Sequence, residues 1–400
     1  MEQVLYQLPD GWEWHSVKKL SHNIQYGHTA KAESSGNAKF LRITDIQDGK
    51  IDWQGVPTVS LAEKEIRKYS LRDNDLVFAR SGATAGKSIL IKNAPTDAVF
   101  ASYLIRIIPN QEKIIPEYLS YFFLTPAYWD VVGLNAAGAA QPNINGTKLS
   151  EFIVPIAPRE EQKCIVEKLD ALLTRINTAI EYLQESITLA NALYASELNS
   201  VFSNGDDKWP LRKLNEVAEV ARGKSKHRPR NDKSLFGGDY PFIQTGDVRN
   251  AQKQITNFST SYNEKGLQQS KLWPKGTICL TIAANIGDVA ILGMDACFPD
   301  SIVGISSPKL ETDYLYYFLT TLQQQLDNKA NAAAQKNINL KILSEIEIPV
   351  PTLNEQRDIV RKINAVDQMA VRVKTEFSAK ITLMQQLKAS ILDSAFKGEL

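Results

Sequence analysis

The sequence predicts an α+β protein in which two similar globular domains alternate with two long helices packed as an antiparallel coiled coil. Three observations predict this fold class: the 400-residue chain contains one long internal repeat, each copy divides into a β-rich part and a helical part, and the two helical parts carry opposite net charge. A repeat of this length indicates duplicated domains rather than a solenoid. Antiparallel helices would relate the two halves by an approximate twofold axis.

The clearest part of the repeat is a stretch of 22 residues. It reads QPNINGTKLSEFIVPIAPREEQ from Gln141 and QKNINLKILSEIEIPVPTLNEQ from Gln335, and ten aligned positions are identical. Further matches extend on both sides, from FLRITDI and FIQTGDV to YASELNSVF and KASILDSAF. The repeat therefore covers most of each half of the chain.

The globular parts, residues 1–158 and 205–352, carry short β-like runs broken by Gly, Pro, Asn and Asp. The runs are LVFAR, SILI and YLIRII in the first half and TICLTI, VAIL and IVGIS in the second. A short helical stretch lies near YLSYFFL and near its counterpart YLYYFLT. This texture predicts a mixed α/β domain in each half.

The remaining segments, residues 159–204 and 353–400, have uninterrupted helical periodicity. Their apolar residues are spaced alternately by four and three, with Ala179 and Ala370 completing the pattern, which is typical of a coiled-coil seam. The predicted seam comprises Ile165, Leu169, Leu172, Ile176 and Leu183 in the first helix and Ile359, Ile363, Val366, Val373 and Phe377 in the second.

Charge favours pairing between the two helices. Residues 159–204 hold four basic and seven acidic side chains, whereas residues 353–400 hold eight basic and six acidic side chains. Complementary charge and two apolar stripes predict that the helices pack on each other. The alternative is that each helix folds onto its own globular domain. At 1.5 Å per residue the first helix would be a spacer of about 65 Å.

Composition limits the class of protein. No apolar run approaches the length of a membrane helix, and MEQVLYQLPDGW is not a signal peptide. Three cysteines without metal-ligand spacing fit a reducing, cytoplasmic setting. The net charge of +1 is weak evidence against nucleic acid, because binding requires only a local basic face.

Two related but different domains suit a partner with two separated and different sites, and duplex DNA has this geometry. The most basic stretch is ARGKSKHRPRNDK, residues 221–233, which is predicted to be a loop able to reach phosphates or guanine edges. Its candidate DNA-binding cations are Arg222, Lys224, Lys226, Arg228, Arg230 and Lys233. A solvated surface loop is the alternative.

The first domain has weaker candidates. Its counterpart loop, GHTAKAESSGNAK, contains His28, Lys31 and Lys39. Arg42 and Gln244 occupy equivalent strand ends, and both residue types form bidentate base contacts, although either fits an ordinary polar position. Arg80 and Lys87 flank a Gly-rich turn whose second copy lacks these cations.

The amides of the repeated stretch have two interpretations. Gln141, Asn143, Gln335 and Asn337 either read adenine or form turns that cap a strand. Domains that read different sequences should differ at their base contacts. Identity in both copies therefore favours a framework role.

Signs of catalysis are weak. GATAGKS has three residues between its glycines where a phosphate loop needs four. An acidic set of Asp10, Asp48 and Lys50, which would suit a stand-alone nuclease, is absent from the second half. The four histidines form no metal-ligand pair, and no methyltransferase motif is visible. We expect no metal and no catalytic residues in this chain.

The combined motifs resemble the specificity subunit of type I restriction–modification systems. They are the duplicated GAAQPNIN, IPVP and EQ pattern, the following long helix, the ending ASILDSAFKGEL, the openings LPDGWEW and KWPLRKL, and the ARGKS loop. The resemblance spans essentially the whole chain. It implies two target recognition domains that each read half of an asymmetric bipartite site, and spacer helices that set the gap.

The resemblance also implies the partners. They are double-stranded DNA, two methyltransferase (modification) subunits, and restriction (motor) subunits. Only these partner subunits would use S-adenosylmethionine, ATP and Mg²⁺, and the specificity subunit itself would have no catalytic role and no cofactor. A two-domain protein–protein scaffold without DNA binding is the remaining alternative.

Overall fold

The computed structural model describes residue 3 and residues 6–47, 49–136, 143–203, 209–283, 286–322 and 340–400. The chain forms two compact units. The first unit contains residues 1–184 and 378–400, and the second contains residues 185–377. Each unit therefore combines one globular domain with part of both long helices.

The first domain is built from short strands and helices. Its strands are β1 (Glu13–Ser16), β2 (Ser21–Tyr26), β3 (Ala38–Leu41), β4 (Ile46–Gln47), β5 (Lys50–Ile51), β6 (Thr58–Val59), β7 (Leu76–Ala79), β8 (Ser88–Leu90), β9 (Ala98–Phe100), β10 (Leu104–Pro109) and β11 (Ile153–Ile156). Its helices are α1 (Val17–Leu20), α2 (Glu63–Tyr69), α3 (Pro116–Phe122), α4 (Pro126–Ala136) and α5 (Gly146–Glu151), and the long helix α6 (Arg159–Ser203) follows. The main antiparallel sheet has the order β2-β10-β7-β8.

The second domain repeats this plan. Its strands are β12 (Leu211–Lys213), β13 (Glu219–Arg222), β14 (Phe236–Phe242), β15 (Gln254–Ile255), β16 (Thr260–Tyr262), β17 (Ile278–Thr281), β18 (Val289–Leu292), β19 (Ile302–Ser306) and β20 (Glu347–Pro349). Its helices are α7 (Leu214–Val217), α8 (Thr245–Asn250), α9 (Glu264–Gln268), α10 (Thr312–Thr321) and α11 (Leu340–Ser344), before the long helix α12 (Leu353–Lys397). The main sheet has the order β13-β19-β17-β18-β15, whose first four strands match those of the first domain.

Local chemistry explains where the long helices start. Glu160 and Glu161 lie in the first turn of α6, where their charges favour the positive end of the helix dipole. In α12 a reciprocal cap forms, since Thr352 N donates to Glu355 Oε2 (2.9 Å) and Glu355 N donates to Thr352 Oγ1 (3.4 Å).

In the first unit the two helices run antiparallel. Lys168 Nζ donates to Leu400 O (3.0 Å), and Lys388 Nζ donates to Asn177 Oδ1 (3.0 Å). In the second unit, Leu198 and Phe202 of α6 share one core with Ile359 and Ile363 of α12. The predicted antiparallel helix pair is confirmed, and each globular domain packs against both helices rather than only its own.

The predicted seam residues differ in burial. Ile165, Leu169, Ile176, Ile359 and Ile363 are buried, whereas Leu172, Leu183, Val366, Val373 and Phe377 are half-buried. Leu173, outside the predicted seam, is buried in the core of the first unit. The apolar face is wider than a two-position seam because these helices contact a globular domain as well as each other.

A duplicated set of hydrogen bonds fastens each domain to its following helix. Gln162 Oε1 accepts from Ile115 N (3.0 Å) and Gln356 Oε1 accepts from Glu311 N (2.8 Å). Both amides also donate back to the segment before their own helix. The Gln162 and Gln356 side chains are almost fully buried, so this contact is a fixed part of the framework.

Candidate nucleic-acid interface

In the first domain, three loops meet at one end of the main sheet. Backbone hydrogen bonds join them: Gly27 N to Leu104 O (3.2 Å), His28 N to Phe100 O (2.8 Å) and Arg80 N to Tyr103 O (3.0 Å). A Cβ at Gly27 would lie 2.2 Å from Ala101 O, so only glycine allows this approach. These bonds fix the loops as one surface.

The second domain has the same bonds at equivalent positions. They join Gly223 N to Ile302 O (2.9 Å), Lys224 N to Phe298 O (3.0 Å) and Ile282 N to Ser301 O (2.9 Å). The side chains on this common scaffold differ between domains, with His28 replaced by Lys224, Tyr103 by Ser301, and Arg80 by Ile282, whose side chain is buried. The two surfaces share a backbone and present different chemistry.

The next pair of candidates lies at the ends of equivalent strands. Arg42 N donates to Asp45 Oδ2 (2.8 Å), and Gln244 N donates to Asp247 Oδ2 (2.8 Å). The Arg42 guanidinium also binds both oxygens of Asp45, at 3.0 and 2.7 Å. This hydrogen-bonded carboxylate raises the pKa of Arg42 and neutralises its charge locally. Gln244 Nε2 instead donates to Thr260 Oγ1 (3.2 Å).

Arg80 has a different environment. Its guanidinium lies over the ring of Tyr26, 5.2 Å from the centroid. Tyr26 OH accepts from Gly146 N (2.8 Å), and Arg80 O accepts from Ile144 N (2.8 Å). Asn143 is exposed and forms a β-bridge with Ser81. Ile144 of the repeated NIN stretch thus holds Arg80 in place, and the adjoining Gly146 holds Tyr26. Gln141, Gln335 and Asn337 lie outside the described residues.

The remaining candidates of the first domain divide into two groups. Lys39 Nζ donates to Gln54 O (3.2 Å) and Val56 O (2.9 Å), and His28 Nε2 lies 3.2 Å from Glu65 Oε1. These two side chains are bound within the domain. Lys31 and Lys87 are exposed to solvent.

Part of the basic loop of the second domain is held by hydrogen bonds and an ion pair. Arg228 donates to Ser225 O (2.7 Å) and His227 O (2.8 Å), and Arg230 forms an ion pair with Asp300 (2.8 Å). Arg222, Lys224, Lys226 and Lys233 are exposed. Hydrogen bonds from Ser234 and then His227 lower the pKa of Asp232, so this carboxylate stays charged and anchors the loop.

An open cleft of about 470 Å³ joins this loop to the strand end of Gln244. Arg230, Asn231, Gln244, Thr260 and Ser301 supply its polar wall, and Phe236 and Phe242 supply aromatic surface. The structure therefore brings together two candidates from distant parts of the sequence. Asn231, Thr260 and Ser301 were not among the predicted residues, because only the fold places them beside Gln244.

Two exposed tyrosines of the first domain were also missed. Tyr26 is 41% exposed and Tyr103 is 65% exposed, although tyrosine usually buries its ring. In the sequence Tyr103 begins the apolar run YLIRII, so no local signal distinguishes it from a core residue, and Tyr26 lies outside the predicted runs.

The structure does not bring the candidate catalytic residues together in one site. The GATAGKS turn connects the antiparallel strands β7 and β8, rather than a strand and a helix as in a phosphate loop. Lys50 lies 3.8 Å from Glu181, Asp10 is exposed, and Asp48 lies outside the described residues. Among the described residues, no three His, Cys, Asp or Glu side chains are grouped to hold a metal ion.

No helix in the described part of the chain is long and apolar enough to cross a membrane.

Comparison with known proteins decides the family. The model of the type I restriction modification DNA specificity domain matches residues 10–188 and again residues 206–383. The chain belongs to this family. The double match agrees with the internal repeat.

Relatives of this specificity family match over nearly their whole length. The chain is 26% identical to a putative type I restriction enzyme MjaX specificity subunit of Methanocaldococcus jannaschii, covering 98% of this chain and 95% of the relative. It is 24% identical to the EcoKI specificity subunit of Escherichia coli, covering 98% and 90%. The resemblance to type I specificity subunits is confirmed.

Two solved structures share the fold. One, from a study of complex assembly and conformational transition of the type I restriction–modification system, has a TM-score of 0.79 at 22% identity and covers 99% of this chain and all of the other. The HsdS subunit of Thermoanaerobacter tengcongensis has a TM-score of 0.59 at 21% identity, with full coverage of both chains.

Together these matches establish the broad function. The chain is a specificity subunit with two target recognition domains, and it supplies DNA sequence specificity as a non-catalytic component of a type I restriction–modification system. The scaffold and stand-alone nuclease alternatives are not favoured. The system includes methyltransferase and restriction subunits, which are therefore partners of this chain together with DNA.

Proposed function

We propose that the two equivalent loop surfaces are the DNA-reading faces, and that each reads one half of an asymmetric bipartite site. The observation that carries this proposal is the shared set of backbone hydrogen bonds with different side chains on it. A common scaffold keeps the docking geometry constant. Different side chains then allow the two domains to recognise different bases.

In the second domain, different side chains suit contacts with phosphates and contacts with bases. The exposed cations Lys224, Lys226 and Lys233 suit phosphate contacts, which bind without sequence preference and position the domain. Arg230 and Gln244 line the cleft, and their side chains match guanine and adenine edges in the major groove. Recognition by this domain would therefore centre on the cleft.

The proposed division of the chain follows from these roles. Residues 1–158 and 205–352 form the recognition domains, and residues 159–204 and 353–400 form the spacer helices. The buried Gln162 and Gln356 contacts join a recognition domain to a helix. The helices would fix the gap between half-sites and dock two methyltransferase subunits together with the restriction subunits. The complex would act in the cytoplasm, with S-adenosylmethionine, ATP and Mg²⁺ used by the partner subunits alone.

The test is the salt dependence of duplex binding by the complex assembled with its partner subunits. Lys224→Ala should lower the slope of log K against log salt by about 0.9 for each phosphate that the variant no longer neutralises. Lys275 is exposed at the opposite end of β17 from Ile282, so Lys275→Ala is the matched control and should leave the slope unchanged. A wild-type complex without salt-sensitive, sequence-dependent binding would refute the proposal and support a protein scaffold.

A further inference from the structure

Arg80 is held in place from several directions. Its backbone N–H donates to Tyr103 O (3.0 Å) and its carbonyl accepts from Ile144 N (2.8 Å). Its guanidinium lies over Tyr26, whose hydroxyl is fixed by Gly146 N. The side chain therefore starts from a rigid backbone and rests on an anchored ring.

Two other arginines near this sheet already bind acceptors within the domain. Arg42 is bidentate to Asp45, and the buried Arg106 donates to Ser70 O and Gln25 Oε1. Among the described residues, Arg80 forms no ion pair with a carboxylate. A cation stacked on a ring keeps its N–H groups available at the edge of the guanidinium plane.

This arrangement suits one kind of ligand. A planar guanidinium with free N–H groups matches O6 and N7 of guanine in two parallel hydrogen bonds. Support by a ring reduces the freedom that the side chain loses on binding. A phosphate accepts from the same donors, and it is the alternative ligand that the experiment below distinguishes.

Resting on the function proposed above, we propose that Arg80, supported by Tyr26, is a specificity-determining residue that reads a guanine in the half-site of the first recognition domain. Ile282 replaces it in the second domain on the same backbone bond. The half-site of the second domain is then read without an arginine at this position. The exposed Tyr103 flanks the same contact.

Methylation mapping in a host that carries the complete system tests this proposal. With Arg80→Ala, one guanine position in one half of the recognised motif should lose its preference by roughly tenfold or more. The other half and the gap should be unchanged. Arg80→Lys keeps the charge but not the bidentate geometry, so it should relax the same position. Arg67→Ala, which removes an exposed arginine of the same domain that pairs with Glu63, is the matched control and should leave the motif unaltered.

The possible outcomes of the mapping distinguish failure of the Arg80 proposal from failure of the proposed function. Retention of the guanine by both Arg80 variants, with methylation lowered evenly across sites, would overturn the proposal and indicate a phosphate contact. An unchanged second half-site and co-purification of the partner subunits show that a variant is folded. A wild-type system without any bipartite motif would refute the proposed function itself, which is a different failure from an unchanged guanine.

Discussion

At the scale of single residues, the two domains differ at one buried position. Arg106 of β10 and Gly304 of β19 are equivalent, since they pair with Val77 and Cys279 at matching places in their sheets. Arg106 lies 3.6 Å from Asp75 and is 5% exposed. Burial lowers the pKa of Arg106 and raises that of Asp75, because desolvation disfavours both charged forms, and the attraction between the two groups opposes both shifts.

The second domain fills the same space with an aromatic ring. A Cβ on Gly304 would lie 2.7 Å from Trp273 Cζ3, so the absence of a side chain makes room for the indole. The ring of Trp273 also stacks on Phe298, with centroids 4.9 Å apart. One domain thus uses a buried ion pair and the other an apolar stack to support the same sheet.

Removing the buried cation should therefore be costly. Arg106→Ala leaves Asp75 buried without its partner, and we expect a loss of about 3–5 kcal/mol in the free energy of unfolding. Arg67→Ala is the control, because Arg67 is 81% exposed and its ion pair with Glu63 contributes at most about 0.5 kcal/mol. Denaturant unfolding measures both, and equal effects would contradict the assigned role of Arg106.

At the scale of elements, the contact between domain and helix is the repeated unit. Gln356 is fully buried, and its amide binds both the start of α10 and the segment before α12. Tyr314 OH donates to Pro349 O (2.9 Å), and Tyr118 OH donates to Pro155 O (2.9 Å) in the first domain. The same polar contacts therefore recur in both halves: the glutamine joins each recognition domain to a long helix, and the tyrosine joins a short helix to a strand within the domain.

Loss of this amide should destabilise the second unit. Gln356→Ala leaves the backbone N–H of Glu311 without its acceptor, which should cost about 1–3 kcal/mol. Gln368→Ala on the exposed face of the same helix should change stability by less than about 0.5 kcal/mol. Thermal or denaturant unfolding of the two variants distinguishes them, and a neutral Gln356→Ala would contradict the structural role.

Periodic features of this chain could be predicted from its sequence. The two long helices and their antiparallel pairing follow from apolar spacing and charge, and the domain duplication follows from the repeat. Side-chain roles were less accessible. Arg42 and Arg80 both lie at a strand end, and the sequence alone does not reveal that Asp45 neutralises one while Tyr26 supports the other. Those partners depend on tertiary packing.

Helix length offers a direct test of the spacer role. Deleting one heptad, residues 180–186 around Leu183, shortens α6 by about 10 Å, which corresponds to about three base pairs of duplex. We expect methylation mapping to show a shorter gap with both half-sequences unchanged. Inserting one heptad at the same place should lengthen the gap. A changed half-sequence in either variant would contradict the spacer role.

At the scale of the whole molecule, the repeat separates a constant function from a variable one. Residues identical in both halves, such as Gln162 and Gln356, join domains to helices. Positions that differ, such as Tyr103 and Ser301, lie on the loop surfaces. Under the proposed function, duplication followed by change at the surface would let one chain recognise two different half-sites while its framework stays the same.

The most direct test of this claim is methylation mapping of a variant in which Lys224, Lys226, Arg230 and Lys233 of the second domain are replaced by alanine, beside the wild-type system. The wild type should methylate one asymmetric motif made of two half-sequences and a fixed gap. In the variant, only one half-sequence should relax or disappear, with the other half and the gap unchanged. Equal changes in both half-sequences, or a wild-type motif without a gap, would contradict independent reading by the two domains.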